Sequence, residues 1–409
     1  MHDHMSEVSR REFMKTGTAL TAAAAAAAGL PAIEAYAEDK PDKGVLGMRK
    51  LGKTGVGVTM LNLGTAGDMD NRLLNTAWAE GVRYFDAADC YRGGNSEKTV
   101  GEWLAKTGRR KDMFIVTKDH PKTPDEWVKM IDARLEALQT DYVDLFFLHE
   151  LGKGFGRPDE KVRGIPKDKD WAKAADTLKK SGKVKFVGFS THTEINLRIS
   201  LLNDAAAGWP DAIMVASDPR LVRKNSDFNK ALDACHKAGV GLICMKEMRN
   251  GLKAIPPVVP EFEKLGLTKY AAVLHAVWTD QRFASICSAM SNVKIVKENT
   301  ESARKFKPLT EDQLGMVNGV MDRYASSFCV GCDGSCALAA GTDAAFGDIV
   351  RYLSYYEMDG DRETARRLFN ELPPEHRDWS GADLKAAQAA CVSNIDFEDY
   401  LARAEAKLA

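Results

Sequence analysis

The chain has 409 residues, 44% of them hydrophobic, which is enough for a large buried core. Its formal charge of -1 gives no electrostatic reason to bind nucleic acid. Eight cysteines at this length exclude a small disulfide-stapled scaffold.

The first residues have the layout of an export leader. Arg10 and Arg11, with Phe13, are followed by an alanine-rich apolar stretch and the small-x-small triplet Ala35-Tyr36-Ala37. This predicts a cleavable twin-arginine signal over 1–37, handled by the twin-arginine translocase, and a periplasmic mature chain that begins near Glu38. The apolar run is too short and too alanine-rich to span a bilayer. No other segment qualifies, so no stable membrane span is expected.

After "MRKLGKTG", which reads as a short hairpin, apolar runs alternate with amphipathic stretches. The predicted strands are 58–64, 83–88, 113–118, 142–149, 184–190, 212–217, 240–246 and 284–290. Each is short, rich in β-branched or aromatic residues and apolar on both faces, as buried parallel strands require. Between them, "TPDEWVKMIDARLEALQ" carries Trp127, Met130, Ile131, Leu135 and Leu138 on one helical face, with Thr123 and Glu126 as a capping box. "SEKTVGEWLAKTG" offers Ser96 as N-cap and Gly108 beyond its end. Eight strands with intervening helices predict an α/β fold, a (β/α)8 TIM barrel over 38–306 with its site where the strands end. The Gly-, Pro- and charge-rich loop 152–170 is placed to cover that site. From 307 onward only helical patterns remain, with Gly360 marking a turn, so 307–409 reads as an all-helical appendage.

Four polar residues stand at consecutive strand ends: Asp86 with Tyr91, Lys118 and His149. An ammonium beside a phenol favours phenolate, a carboxylate compensates the lysine, and a histidine can orient a carbonyl or share in proton transfer. Taken singly each has a bland reading as a solvated or hydrogen-bonded strand end. Their joint order and spacing favour a site.

"GVRYFDAADCYRGGNSEKTVGEWL", "MFIVTKD", "LQTDYVDLFFLHE" and "VGFSTH" resemble the aldo-keto reductases, in order and across residues 48–307. The resemblance implies a catalytic tetrad in which Tyr91 gives the proton to a carbonyl accepting hydride. Lys118 would tune it, Asp86 support Lys118, and His149 position the substrate. "VKENTESA" is similar to the family's adenine-contacting stretch, with Glu298 and Asn299 in the expected places. Ser190 and Ser288 complete the implied cofactor contacts. The nucleotide half also departs from the pattern. Ala289 and Ile295 stand where NADPH-binding members carry basic residues, Thr191 follows Ser190, and Met214 replaces a frequent Gln. NADP(H) or NAD(H) is therefore expected, carried tightly bound where nucleotide cannot be exchanged outside the cytoplasm.

Cys329, Cys332 and Cys336 form C-x2-C-x3-C. Spacing alone leaves iron–sulfur, zinc and disulfide open, because zinc and a [4Fe–4S] cluster each call for about four ligands and only three are close. Cys391 is the remaining cysteine of the appendage. The tail resembles the ferredoxin-like extension of some aldo-keto reductases, which implies Cys329, Cys332, Cys336 and Cys391 as ligands of one [4Fe–4S] cluster. Ala337 and Val392 depart from the proline that often follows such cysteines. Among the scattered cysteines, Cys90 is set apart by its place beside Tyr91.

The expectation is an exported oxidoreductase that interconverts a carbonyl and an alcohol of a small molecule such as a sugar or polyol, with an external electron partner if the cluster is redox-active. The alternative is a non-catalytic barrel serving as a binding or electron-relay module, with the cluster or a zinc site mainly structural.

Overall fold

The computed structural model describes residues 43–409 apart from 153–158, 194, 223–225, 248–251, 253–254, 325–328, 330–333 and 392. The leader, Cys332 and part of the loop expected over the site lie outside the described residues.

Strands β1 (Met48–Lys50) and β2 (Gly57–Thr59) pair antiparallel. The expected hairpin is therefore present, but its second arm is the stretch read as the start of the first barrel strand. The chain bends at Met60 and only then enters the barrel. The barrel strands are β3 (Leu61–Gly64), β4 (Tyr84–Asp86), β5 (Phe114–Asp119), β6 (Val143–Leu148), β7 (Val184–Thr191), β8 (Ala212–Ala216), β9 (Gly241–Met245) and β10 (Phe283–Ser288). They close into a parallel barrel in chain order, with β10 returning to pair β3. The predicted (β/α)8 architecture is the one observed.

Alternation within the strands divides the apolar residues between two cores. On β6, Leu145 and Phe147 join the barrel interior, while Phe146 and Leu148 pack outward with Trp127, Trp171 and the other helix-borne residues. Leu51 and Val58 of the hairpin belong to the interior core. Met214 is also there, fully buried.

Two predicted caps shift. Thr123 does cap its helix, accepting from the Glu126 amide at 3.2 Å, but Glu126 reaches back to the Lys122 amide at 2.7 Å instead of to Thr123. Ser96 is not a cap. The helix Asn95–Thr107 starts one residue earlier behind Gly94, and Ser96 is buried against the Thr65 hydroxyl. Gly108 ends this helix in the left-handed region at φ 66°.

Gly188 on β7 sits opposite Ala212 on β8. A Cβ there would lie 1.8 Å from the Ala212 carbonyl oxygen, a backbone atom fixed in the barrel ladder. Gly188→Ala is thus expected to cost at least about 1–3 kcal/mol, the range for overpacking a close-packed core, and to lower the midpoint of denaturant unfolding.

Beyond the barrel, the helix Glu311–Tyr324 packs Val317, Val320 and Met321 against Leu252, Ile255 and Phe262. The following helices build their own core around Ile349, Tyr352, Leu368, Phe397 and Leu401. The left-handed Gly360 (φ 72°) ends the turn Tyr355–Asp359, as its flanking aspartates suggested. This region docks on the end of the barrel where the strands finish. Lys246, just after β9, donates to the Tyr355 hydroxyl at 3.0 Å, and Arg351 donates to the carbonyl of His192, just after β7, at 2.7 Å. No helix among the described residues is long and apolar enough to cross a membrane.

Candidate active site

The four strand-end residues converge. Lys118, at the end of β5, is 1% exposed, and its ammonium has three protons to place. One goes to the Asp86 carboxylate, one to the Ala87 carbonyl at 2.9 Å and one to the Tyr91 hydroxyl at 3.2 Å. A buried lysine satisfied in this way is held at one point, and with it the phenol. The His149 ring stands edge-on to the Tyr91 ring at 5.5 Å between centroids.

Burial decides the charge states. It pushes the Tyr91 phenol well above its usual value, and the neighbouring Asp86 carboxylate pushes the same way. The phenol is therefore a protonated donor, and the downward pull expected from Lys118 does not prevail. Burial likewise raises the Asp86 carboxyl while the Lys118 contact opposes it. His149 is brought down to about 4, first by burial and then by His120, and is neutral near pH 7.

The backbone around this site is unusual. Arg92, Glu150 and Lys246 adopt left-handed conformations at φ 55°, 49° and 60°, the first in the turn Tyr91–Gly94 after β4 and the other two within two residues of the ends of β6 and β9. Non-glycine residues rarely accept this region, and such outliers gather at functional sites.

The expected cofactor residues divide. Ser288, at the end of β10, accepts from the Asn299 amide at 3.2 Å, and both are buried. Ser190, at the end of β7, accepts from the Glu150 amide at 3.0 Å. Glu298 is on the exposed side of the helix Val293–Arg304, 3.8 Å from Lys294. A cleft of about 610 Å³ opens alongside, walled by Arg92 and Asn95 from the loop that carries Tyr91 and by Ser291, Asn292 and Lys294 at the start of that helix. The expected catalytic and cofactor residues themselves do not line this cleft.

Several residues of the mouth were not singled out from sequence. Cys287 is half-buried and interacts with Asp86. Glu150 accepts from His192 Nε2 at 2.6 Å, and His192 Nδ1 meets the Arg351 guanidinium, which also pairs with Asp348 at 2.7 Å. Because a guanidinium only donates, Nδ1 is the acceptor and Nε2 carries the proton. Glu150 follows His149 directly and His192 lies two past Ser190, so position was a usable signal for both; Arg351 had none.

Burial, then the Arg351 charge, lowers His192 to about 3 from 6.5. The unfolded chain thus takes up a proton below pH 6.5 that the native fold refuses until about pH 3. Stability should fall as pH drops through that window, with a slope of up to about 1.4 kcal/mol per pH unit from this group. His192→Gln, measured by urea unfolding at stepped pH, is expected to flatten that part of the profile.

Among the described residues, Cys336 lies in the core of the helical region, with Cys329 and Cys391 packed at its edge. Cys329 is close enough to the Arg220 guanidinium to interact electrostatically.

Comparison with known proteins gives a consistent picture. The model of the "Aldo/keto reductase family" matches residues 47–254. An NADP(+) aldo-keto reductase of Schizosaccharomyces pombe is 27% identical over 42% of this chain and 49% of its own length. L-Galactose dehydrogenase of Arabidopsis thaliana is 26% identical over 67% of this chain and 94% of its own. The holo form of an aldo-keto reductase from Bacillus halodurans superposes with a TM-score of 0.53 at 21% identity, covering 67% of this chain and 96% of that one. That likeness speaks to the fold.

Proposed function

The chain belongs to the aldo/keto reductase family, and from that premise we propose that it interconverts a carbonyl and an alcohol by hydride exchange with a nicotinamide dinucleotide. The observation that carries this reading is the Tyr91 hydroxyl, held 3.2 Å from an ammonium that is itself pinned by Asp86. Bound nicotinamide would supply the hydride in reduction and accept it in oxidation. Tyr91, kept protonated by burial, gives its proton to the carbonyl oxygen, and the phenolate left behind sits beside Lys118. Asp86 holds Lys118 in place and balances its charge. His149, neutral near pH 7, orients the carbonyl by a hydrogen bond.

Residues at the mouth suit such a cofactor. The Ser288–Asn299 pair and the Ser190 hydroxyl supply buried polar groups at two strand ends, and the cleft reaches from the Tyr91 loop to the helix expected at the adenosine end. Ala289 and Ile295 place no positive charge for a 2′-phosphate, so either NADH or NADPH is accepted in this reading. A sugar or polyol substrate is supported by the similarity to L-galactose dehydrogenase.

For the appendage 307–409 we propose a [4Fe–4S] cluster held by Cys329, Cys332, Cys336 and Cys391. Support comes from the C-x2-C-x3-C spacing and from the placing of Cys329, Cys336 and Cys391 around one apolar core, which suits soft thiolate ligands shielded from water. Such a cluster would supply one-electron chemistry or a structural tie. The twin-arginine leader over 1–37 agrees with folding and cofactor insertion before export to the periplasm. Anaerobic purification from the native host, with iron, sulfide, zinc and bound nucleotide assayed together, tests the scheme. About four irons and four sulfides per chain are expected, with nucleotide oxidised on adding a carbonyl. A chain that binds neither NADH nor NADPH would end the hydride-transfer reading, and zinc in place of iron would end the cluster.

A further inference from the structure

Around His149 of the tetrad, three further side chains that the proposed proton path does not use crowd into one spot. Asp89 and Cys90 come from the loop after β4, His120 from the residue after β5 and His149 from the residue after β6. One ligand atom from each lies within 4.8 Å of all the others. His120 Nδ1 is 3.4 Å from Asp89 Oδ1, His149 Nδ1 is 3.8 Å from the same oxygen, and Cys90 Sγ is 3.6 Å from His149 Nδ1. A tetrahedral zinc with arms of roughly 2.0–2.3 Å places its ligands about 3.3–3.8 Å apart. Three of the six separations therefore match the edges of such a site, and the other three lie within 4.8 Å.

The segments that carry these groups are fixed before any cation arrives. The Asp89 amide donates to the Lys118 carbonyl at 3.1 Å, and the His149 amide donates to the Asp119 carbonyl at 2.8 Å. The Asp119 carboxylate accepts from the His120 amide at 2.8 Å. Preorganisation of this kind is what a metal site needs, since ligands that must be gathered cost affinity. Asp89 Oδ1 is buried with His120 Nδ1 and His149 Nδ1 both facing it, so this acceptor is aimed into the cluster. Cys90 faces solvent and leaves an entry path.

We propose that Asp89, Cys90, His120 and His149 form a binding site for a borderline transition-metal dication, with zinc the best match to two imidazoles, one thiolate and one carboxylate. Two imidazoles beside a carboxylate can be explained as a hydrogen-bonded group, and the thiol is what turns the set into zinc ligands. Binding deprotonates Cys90, so each cation taken up releases one proton from the thiol to solvent and forms a zinc–sulfur bond with no change of oxidation state. The site does not require the reductase reading and extends beyond it. Metal uptake and carbonyl turnover are measured separately, so either can fail alone.

The test uses the full-length chain, stripped of metal by a chelator and titrated with zinc chloride. Wild type is expected to bind one more equivalent than Cys90→Ser or His120→Ala, with affinity at that site falling by more than about 100-fold, beyond the usual loss of a single outer-shell partner. Cobalt(II) should give a thiolate charge-transfer band that is lost in Cys90→Ser and kept in Cys336→Ser, which separates this site from the tail cysteines. A second measurement needs no variant. In wild type, alkylation of Cys90 followed by peptide mass spectrometry should slow about 100-fold when zinc stands about 100 times above its Kd. Equal zinc stoichiometry in all three proteins, or Cys90 alkylation unchanged by zinc, would overturn the proposal.

Discussion

Tyr91→Phe is expected to lower kcat for carbonyl reduction by about 10²- to 10⁴-fold, the range supplied by a positioned general acid. The substitution removes one hydroxyl and keeps the ring that stands against His149. It also deprives the Lys118 ammonium of one of three acceptors, while Asp86 and the Ala87 carbonyl remain. The fold should therefore survive, and dinucleotide binding followed by fluorescence should change little. A loss confined to kcat assigns the hydroxyl to the chemical step. If kcat is retained, proton transfer by Tyr91 is wrong, and a barrel that only binds or relays electrons becomes the better account.

Arg351→Ala should have the largest effect on stability. The guanidinium is 7% exposed and serves three partners: the Asp348 carboxylate at 2.7 Å, the His192 carbonyl at 2.7 Å and His192 Nδ1. Its removal leaves Asp348 buried without its cation and takes the lock off His192, whose other nitrogen holds Glu150. Breaking a buried pair from one side costs about 3–5 kcal/mol. Because the contact joins the helical appendage to the strand ends, the appendage should also become more open to proteolysis than the barrel. Arg351→Lys should recover only part of the loss, since an ammonium cannot reproduce the planar fork. A change under about 1 kcal/mol in urea unfolding would mean that the contact behaves like an exposed ion pair.

The barrel was legible because its signals are local. Each buried parallel strand leaves an apolar run of a few residues, and the polar group at its end is marked by that run. Asp86, Lys118 and His149 could be found in this way, with Tyr91 five residues past Asp86. The first strand was misplaced because Gly57–Thr59 and Leu61–Gly64 form one apolar run, and the bend at Met60 that parts hairpin from barrel has no proline or glycine to mark it. Ser96 looked like a cap by residue type. Its burial against Thr65, 31 positions away, is a contact that no local pattern records.

Sequence by itself determined the eight-stranded frame, the order of its strand ends and the cysteine spacing of the tail, since these follow from residue periodicity and type along a few neighbouring positions. Tertiary structure alone decided what surrounds those strand-end residues at the mouth of the barrel. It brings Arg351 onto His192 across 159 positions, sets His120 beside His149, and draws Asp89 and Cys90 to them. It also sets the direction of the Tyr91 shift, because burial, with the Asp86 carboxylate, raises the phenol. Desolvation and long-range contact are properties of the folded surface, and both are absent until the chain has closed.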